Sequence, residues 1–216
     1  MPRLNRSDLA ILLFTGAKAL DVTLSDFQIN QFVSYLEDLK EWNRRINLTA
    51  IIADEEIIEK HFLDSLAGLK AIEKHPGQIL LDIGTGAGFP GVPLKIAFPT
   101  LRLSLIESSQ KKAAFLHHLA GKLKLSEVSI LNQRVESLLG IERPYDLIVI
   151  RAFAKIQIAL ASALPLLSPS GKLILYQGHR QSQIHDMKGW KATIPYELPF
   201  SKIRRSLEIF SRSSQD

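Results

Sequence analysis

Two acids and three glycines carry the most specific chemistry in this sequence of 216 residues. Asp82 stands two residues before Gly84, and Gly84, Gly86 and Gly88 then alternate with Thr85 and Ala87. A residue without Cβ takes positive φ readily and lets a ligand approach the main chain, so the alternation describes a loop wrapped closely around a bound molecule. A dinucleotide fingerprint sets its glycines at the first, third and sixth positions and rests the pyrophosphate on a helix N-terminus. Here the fifth position is Gly88 and the sixth is Phe89. S-adenosylmethionine has a sulfonium and an ammonium and no pyrophosphate, so a loop preceded by an acid suits it better. Glu107 follows the alternating run Leu101 to Ile106, about 20 residues beyond the first glycine, where doubly wound folds place an acid on ribose hydroxyls. The donor-binding candidates are therefore Asp82, Gly84, Gly86, Gly88 and Glu107, with S-adenosylhomocysteine as the product left behind.

Such a loop needs a buried parallel strand before it and a helix after it. The apolar run from Ile79 supplies the strand, predicted over 79 to 83, with further strands near 102 to 107, 127 to 131, 145 to 150 and 172 to 177. Helices are predicted between them at about 91 to 98, 109 to 124 and 155 to 167, with Pro169-Ser170-Gly171 as a turn into the fifth strand. After a helix near 181 to 189, Ile194 to Phe200 and Ser206 to Phe210 form a closing strand pair. The expectation is an α/β fold of the class I S-adenosylmethionine-dependent methyltransferase type: Rossmann-like, seven-stranded, mostly parallel, with a helical N-terminal extension. The extension occupies 1–75 and packs on a catalytic domain at 76–216. Its helices are expected at roughly 8 to 20, at 26 to 44 behind a Ser25/Gln28 capping box, and beginning after Asp54, with Ile57, Ile58, Phe62, Leu66 and Leu69 on one side.

Ligands in open α/β sheets sit outside the carboxyl ends of the strands. After the third strand, Val135 is positioned to pack on an adenine ring and Glu136 to meet its polar edge, the alternative being an acid facing solvent from a helix start. After the fourth comes Arg151, a charge closing a buried strand. It needs a partner, either a ligand or a structural salt bridge. No Asp/Asn-Pro-Pro-Tyr/Phe loop of the kind used to methylate exocyclic amino groups follows that strand, and the chain has no cysteine for carbon-5 pyrimidine chemistry. Guanine N7 offers an in-plane lone pair and loses no proton, so it needs positioning and desolvation and no general base. Its product ring is cationic, which favours Arg151 on the cofactor or an RNA oxygen.

The chain has 46% hydrophobic and 23% charged residues, as an ordinary globular protein does. It shows no run of about 18 apolar residues and no signal-peptide pattern, which gives the expectation of a cytoplasmic protein without membrane contact. A formal charge of +5 favours a polyanionic partner. The basic clusters are Lys40, Arg44 and Arg45, His179 and Arg180, and Lys202, Arg204 and Arg205, each either an RNA contact or a solvated face.

Several separated motifs, Asn47-Leu48-Thr49, His61-Phe62-Leu63-Asp64-Ser65, Asp82 to Gly91, Arg134-Val135-Glu136, Arg151-Ala152-Phe153-Ala154 and Arg205, occur in an order that resembles the RsmG (GidB) family of bacterial 16S ribosomal RNA guanine-N7 methyltransferases. The resemblance covers about residues 25 to 212. It implies methyl transfer to a guanosine in the 530 loop of 16S RNA, with Gly84, Phe89, Val135, Glu136 and Arg151 as cofactor contacts. His61, Asp64 and Arg151 become candidate positioning residues. Three apart, His61 and Asp64 share a helical face, which equally suits a structural pair. RNA contacts fall to Arg44, Arg45, Asn47, Lys155, Arg180, Arg204 and Arg205, and the partner is 16S rRNA or the small subunit, met by a monomer without metal. Two departures stand out: Gln177 where the family commonly has lysine, and Glu208 where it is apolar. The competing readings are a methyltransferase for another substrate and a catalytically inert RNA-binding relative.

Overall fold

A computed structural model of the chain describes residues 4–139, 144–151, 156–178 and 184–212. The first two helices are set by their caps. Asn5 and Asp8 form a capping box ahead of α1 (Arg6–Ala19), and Ser25 and Gln28 form the expected one ahead of α2 (Asp26–Asn43). Ile29, Phe32, Val33, Leu36 and Leu39 then recur at helical spacing and are buried.

The third helix is not the single α-helix its periodicity suggests. It begins as α3 (Asp54–Ile57), widens to a π-helical turn at Ile58–Leu63, returns to α geometry in α4 (Asp64–Leu66) and tightens to a 3-10 turn at Ala67–Ala71. The wide turn carries His61, and π turns inside helices gather at functional sites.

From residue 79 onward strands and helices alternate. They run β1 (Ile79–Ile83), α5 (Gly91–Ala97), β2 (Arg102–Ile106), α6 (Gln110–Lys122), β3 (Val128–Leu131), β4 (Tyr145–Arg151), α7 (Ile156–Ala163), β5 (Leu167–Gln177), β6 (Trp190–Glu197) and β7 (Arg204–Phe210). Short 3-10 turns lie at Val135–Leu138, Leu164–Leu166 and Ile184–Asp186. The seven strands form one sheet in the order β3-β2-β1-β4-β5-β7-β6, with β7 antiparallel to both neighbours.

Several predicted bounds move. The closing strands begin earlier than their apolar runs, at Trp190 and Arg204, because the two pair with each other over those residues, Trp190 opposite Phe210 and Arg204 opposite Glu197. Of the helix expected near 181 to 189 only the short turn at Ile184–Asp186 lies among the described residues. The helix predicted to reach 167 ends at Ala163, and Pro169-Ser170-Gly171 is not a turn before β5 but lies inside it. The pairing jumps there from Tyr145 opposite Leu167 to Leu147 opposite Lys172, so the three residues are taken up as an irregularity. Gly171 is needed at that point: a Cβ would come within 2.8 Å of the Tyr145 carbonyl oxygen.

Alternate strand residues feed two separate cores. On one face Leu80, Leu103, Leu105, Leu147, Val149, Ile174, Leu207 and Ile209 join a cluster with the buried residues of α1, α2, the 54–71 segment, α5 and α6. The packing runs without a break across residue 75. On the other face Leu81, Ile83, Ile106, Ile148, Ile150, Leu173 and Leu175 meet α7 and the 3-10 turns. No helix among the described residues is long and apolar enough to cross a membrane.

Candidate active site

The strand order reverses between β1 and β4, whose remaining neighbours lie on opposite sides, so the crevice beyond their carboxyl ends is where a doubly wound sheet binds its ligand. The glycine loop leaves β1 at that crevice, and Arg151 ends β4 beside it.

All three glycines have positive φ, at 68°, 61° and 99° for Gly84, Gly86 and Gly88. They serve different neighbours. A Cβ on Gly84 or Gly86 would meet nothing within 4 Å, so the chain bends there around open space. On Gly88 it would lie 2.7 Å from the Tyr35 hydroxyl and 2.9 Å from Val92 Cγ2, so that glycine admits protein.

The loop does not turn its amides outward. Gly84 and Thr85 both donate to the Ile106 carbonyl, Gly88 and Phe89 to that of Thr85, and Gly86 to Glu107 Oε2 at 3.0 Å. The first amide of α5, on Gly91, donates to Asp82 Oδ2 at 2.7 Å, and the Thr85 hydroxyl donates to the same oxygen at 2.7 Å. Asp82 thereby takes the place at the helix start that a phosphate fills in a dinucleotide fold. The carboxylate that the sequence reading turns toward a cationic donor instead closes the loop on itself. Its other oxygen, Oδ1, is buried without a hydrogen-bond partner among the described residues, and burial raises the acid from 3.8 to about 6 against the lowering effect of the two donors.

Glu107 braces the loop from β2. Besides Gly86 it accepts the Ser109 amide on Oε1 at 2.8 Å, and its own carbonyl accepts the Asn132 side chain. A carboxylate offers about four lone-pair sites, so two remain for a ligand's hydroxyls. Open space beside Gly84 and Gly86, carboxylates in place of an amide cradle and an orphaned Asp82 oxygen fit S-adenosylmethionine.

Phe89 ties this loop to the second part of the site. Its ring stacks with His61 at 4.5 Å and with Tyr35 at 5.3 Å, and the Arg151 guanidinium lies over it at 5.1 Å. Arg151 Nη1 donates to Asp64 Oδ2 at 3.1 Å and to the Lys60 carbonyl at 3.0 Å, while Nη2 lies 3.2 Å from His61 Nδ1. A guanidinium only donates, so Nδ1 accepts, and the ring proton sits on Nε2 and is given to Thr49 Oγ1 at 2.7 Å. Burial and then Arg151 push His61 from 6.5 down to about 3, so it is neutral. Asp64 Oδ1 accepts the Tyr196 hydroxyl at 2.8 Å and lies 3.3 Å from Arg205 Nε. Burial, then Asp64, raises the Tyr196 phenol, which stays a donor.

Thus Asp82, Gly84, Gly86, Gly88, Phe89, Glu107, Arg151, His61 and Asp64 come together, and Arg205 joins them through Asp64. Arg151 has the salt-bridge partner that its position demands. Val135 is buried with Ile83 and Ile106 at the strand ends, whereas Glu136 is exposed. Arg44, Arg45 and Asn47 are exposed at the end of α2, where Arg45 lies 3.9 Å from Glu41. Arg204 is exposed and pairs with Glu197 at 3.2 Å. Lys155 and Arg180 lie outside the described residues. Gln177 is half-buried at the end of β5, and Glu208 is buried, accepting from Thr193, Ser206 and Trp190.

Three participants were not singled out in the sequence. Tyr35 donates to the Ala87 carbonyl from α2. Asn43 holds the chain at Leu48 and Thr49 by accepting both amides and donating to the Thr49 carbonyl. Tyr196 reaches Asp64 from β6. The only hint of Tyr35 is a tyrosine standing among α2's apolar positions; for the other two the chain offers no local signal.

Fold and site together define a class I, S-adenosylmethionine-dependent methyltransferase. The C-terminal domain of precorrin-6Y C5,15-methyltransferase from Rhodobacter capsulatus shares the fold with a TM-score of 0.53 at 16% identity, over 68% of this chain and 88% of that one. MtNAS, in complex with MTA and tNA, does so with a TM-score of 0.59 at 12% identity, over 99% and 92%. Residues 28–194 match the family described as GidB, rRNA small subunit methyltransferase G, and the chain belongs to that family. The ribosomal RNA small subunit methyltransferase G of Acetivibrio thermocellus is 38% identical over 94% of this chain and 88% of its own length. That of Caldanaerobacter subterraneus is 37% identical over 93% and 89%.

Proposed function

We propose that the protein transfers a methyl group from S-adenosylmethionine to N7 of a guanosine in the 530 loop of 16S rRNA. Membership of the family and the relatives' names support a small-subunit rRNA acceptor, and the observation that carries the choice of atom is the commitment of His61, Arg151 and Tyr35, the polar groups beside Phe89 among the described residues. His61 uses both nitrogens and is hard to protonate, Arg151 is spent on Asp64, His61 and a carbonyl, and Tyr35 donates to Ala87. Such a site positions and desolvates, which is all that an acceptor with its own lone pair requires.

When bound, S-adenosylmethionine supplies an electrophilic methyl on sulfur. Gly84 and Gly86 leave room for it, Glu107 faces its ribose with two free lone-pair sites, and Val135 and Glu136 flank the adenine. Phe89, clamped by Tyr35 and His61, excludes water beside the reacting centre. Arg151 is held by Asp64 and keeps its charge against the donor side, away from a product ring that becomes cationic. Arg44, Arg45, Asn47, Lys155, Arg180, Arg204 and Arg205 contact the RNA, and the protein works as a cytoplasmic monomer without metal.

The test is incubation with isotopically labelled S-adenosylmethionine and either small subunits lacking the modification or naked 16S RNA. Label in 16S RNA is expected from at least one substrate. Label in neither, with S-adenosylmethionine binding intact by calorimetry, would overturn the assignment.

A further inference from the structure

The Asn47-Leu48-Thr49 segment is fixed by Asn43, and the ground it shapes lies outside the donor site around Phe89. Between the last turns of α2, residues 49 to 52 and α3 lies a cavity of about 270 Å³. Its apolar walls are Leu39, Ile51, Ile52 and Ile57, and Lys40 and Arg44 complete the lining with Asn43 and Thr49. The polar groups in the floor are held by the protein: Asn43 accepts the Leu48 and Thr49 amides and donates to the Thr49 carbonyl, and the Thr49 hydroxyl oxygen accepts from the Ile51 amide and His61. Most of what the cavity offers is apolar surface and one charge. Ile52 is 71% exposed. Lys40 is neutralised by Asp54, and Arg6 and Arg45 of the same surface face Glu37 and Glu41. Arg44 makes no ion pair among the described residues and is exposed.

We infer that this cavity is a docking site for one unstacked nucleobase of the RNA substrate, held between the isoleucine side chains with its phosphate on Arg44. This rests on the RNA acceptor proposed above and adds a site to it. The cavity falls just below the size range of sites for whole drug-sized ligands, as suits a single ring system. The apolar walls meet a base on its faces, so packing against Ile51, Ile52 and Ile57 holds any base. The free Arg44 and the chain's formal charge of +5 favour a nucleotide over an uncharged side chain of a ribosomal protein. The position is also apt. Thr49 in the cavity floor bonds to His61, whose ring stacks on Phe89 of the glycine loop, so a base seated here anchors the RNA beside the donor site.

The experiment compares the unaltered protein with Ile52→Ser, Ile52→Leu and Arg44→Gln, all at exposed positions. Affinity for unmodified small subunits is read by sedimentation, KM and kcat by methyl transfer, and donor affinity by calorimetry. Ile52→Ser is expected to weaken subunit binding and raise KM about tenfold, with kcat and donor affinity unchanged and Ile52→Leu restoring both. Arg44→Gln should flatten the salt dependence of binding. A photo-crosslinking amino acid in place of Ile52 should capture an RNA nucleotide. Capture of a ribosomal protein, or unchanged subunit affinity in Ile52→Ser, overturns the pocket. Absence of methyl transfer by the unaltered protein bears on the acceptor assignment instead, because subunit affinity and crosslinking are read without turnover.

Discussion

The glycine loop and the Arg151 network meet at Phe89 but are built in opposite ways. The loop holds its shape from within and from the neighbouring end of β2: Asp82, Thr85 and Gly91 bond to one another inside ten residues, the Ile106 carbonyl and Glu107 brace it, and Tyr35 reaches in from α2. The network has no such local frame. Thr49, His61 and Asp64 come from the N-terminal helical region, Arg151 from β4, and Tyr196 and Arg205 from the last two strands. The loop is a locally framed donor cradle, whereas the network is a polar clamp that exists only once the whole fold has closed. Damage to the clamp should therefore cost the fold, and damage to the open side of the loop should cost the ligand.

The largest expected effect is on the clamp. Asp64→Ala leaves Arg151 and Arg205 without their shared counter-charge in a mostly buried setting, which should cost about 3 to 5 kcal/mol in denaturant melts. A loss under about 1 kcal/mol would show that the clamp is not a structural unit.

Acid should then separate the two regions by sign. His61 has its folded value depressed to about 3 from 6.5, so the folded state binds fewer protons across that window, and stability due to neutral His61 is lost as pH falls through it. Asp82 is raised from 3.8 to about 6, so the folded state binds more protons there, and its contribution weakens as pH rises from about 4 to 6. Melts at several pH values should show His61→Gln flattening the acid loss and Asp82→Asn flattening the opposing trend. The same slope change from both variants would break the contrast.

Within the loop, Gly88→Ala puts a methyl against Tyr35 and Val92 and should destabilise by about 1 to 3 kcal/mol. Gly86→Ala meets no protein atom and should cost only about 1 kcal/mol for its left-handed backbone while weakening donor binding, since its methyl enters the open space. Calorimetry and melts on the pair should thus give opposite rankings. The smallest effect belongs to Tyr35→Phe, which keeps the stack on Phe89 but strips the Ala87 carbonyl of its donor. It should weaken S-adenosylmethionine binding by about 1 kcal/mol. Unchanged binding would mean that α2 does not shape the loop.

The same contrast explains what could be read in the chain. Asp82, the three glycines and Glu107 announce themselves because their roles depend on spacing along two consecutive strands. The sheet was legible for a similar reason, as alternation of strand and helix leaves few topologies. Arg151 was visible as a charge needing a partner, and His61 and Asp64 as residues sharing a helical face, but the pairing between them spans 87 residues or more and no local pattern encodes it. The π turn that carries His61 keeps the apolar spacing of an α-helix, so periodicity could not expose it. Pro169-Ser170-Gly171 has the composition of a turn, and only the partner strand's register shows that β5 runs through it. Asp82 teaches the finer point: the motif located the acid correctly, yet its charge is spent on Gly91 and Thr85, a direction that spacing alone does not give.

The most direct test of the account is to identify the methylated atom. Small subunits lacking the modification are incubated with protein and S-adenosylmethionine, the 16S RNA is digested with nuclease, and the fragments are read by mass spectrometry. The account predicts 7-methylguanosine in the 530-loop fragment. A methyl group on an exocyclic amine, a pyrimidine carbon or a ribose, or in another fragment, would contradict it.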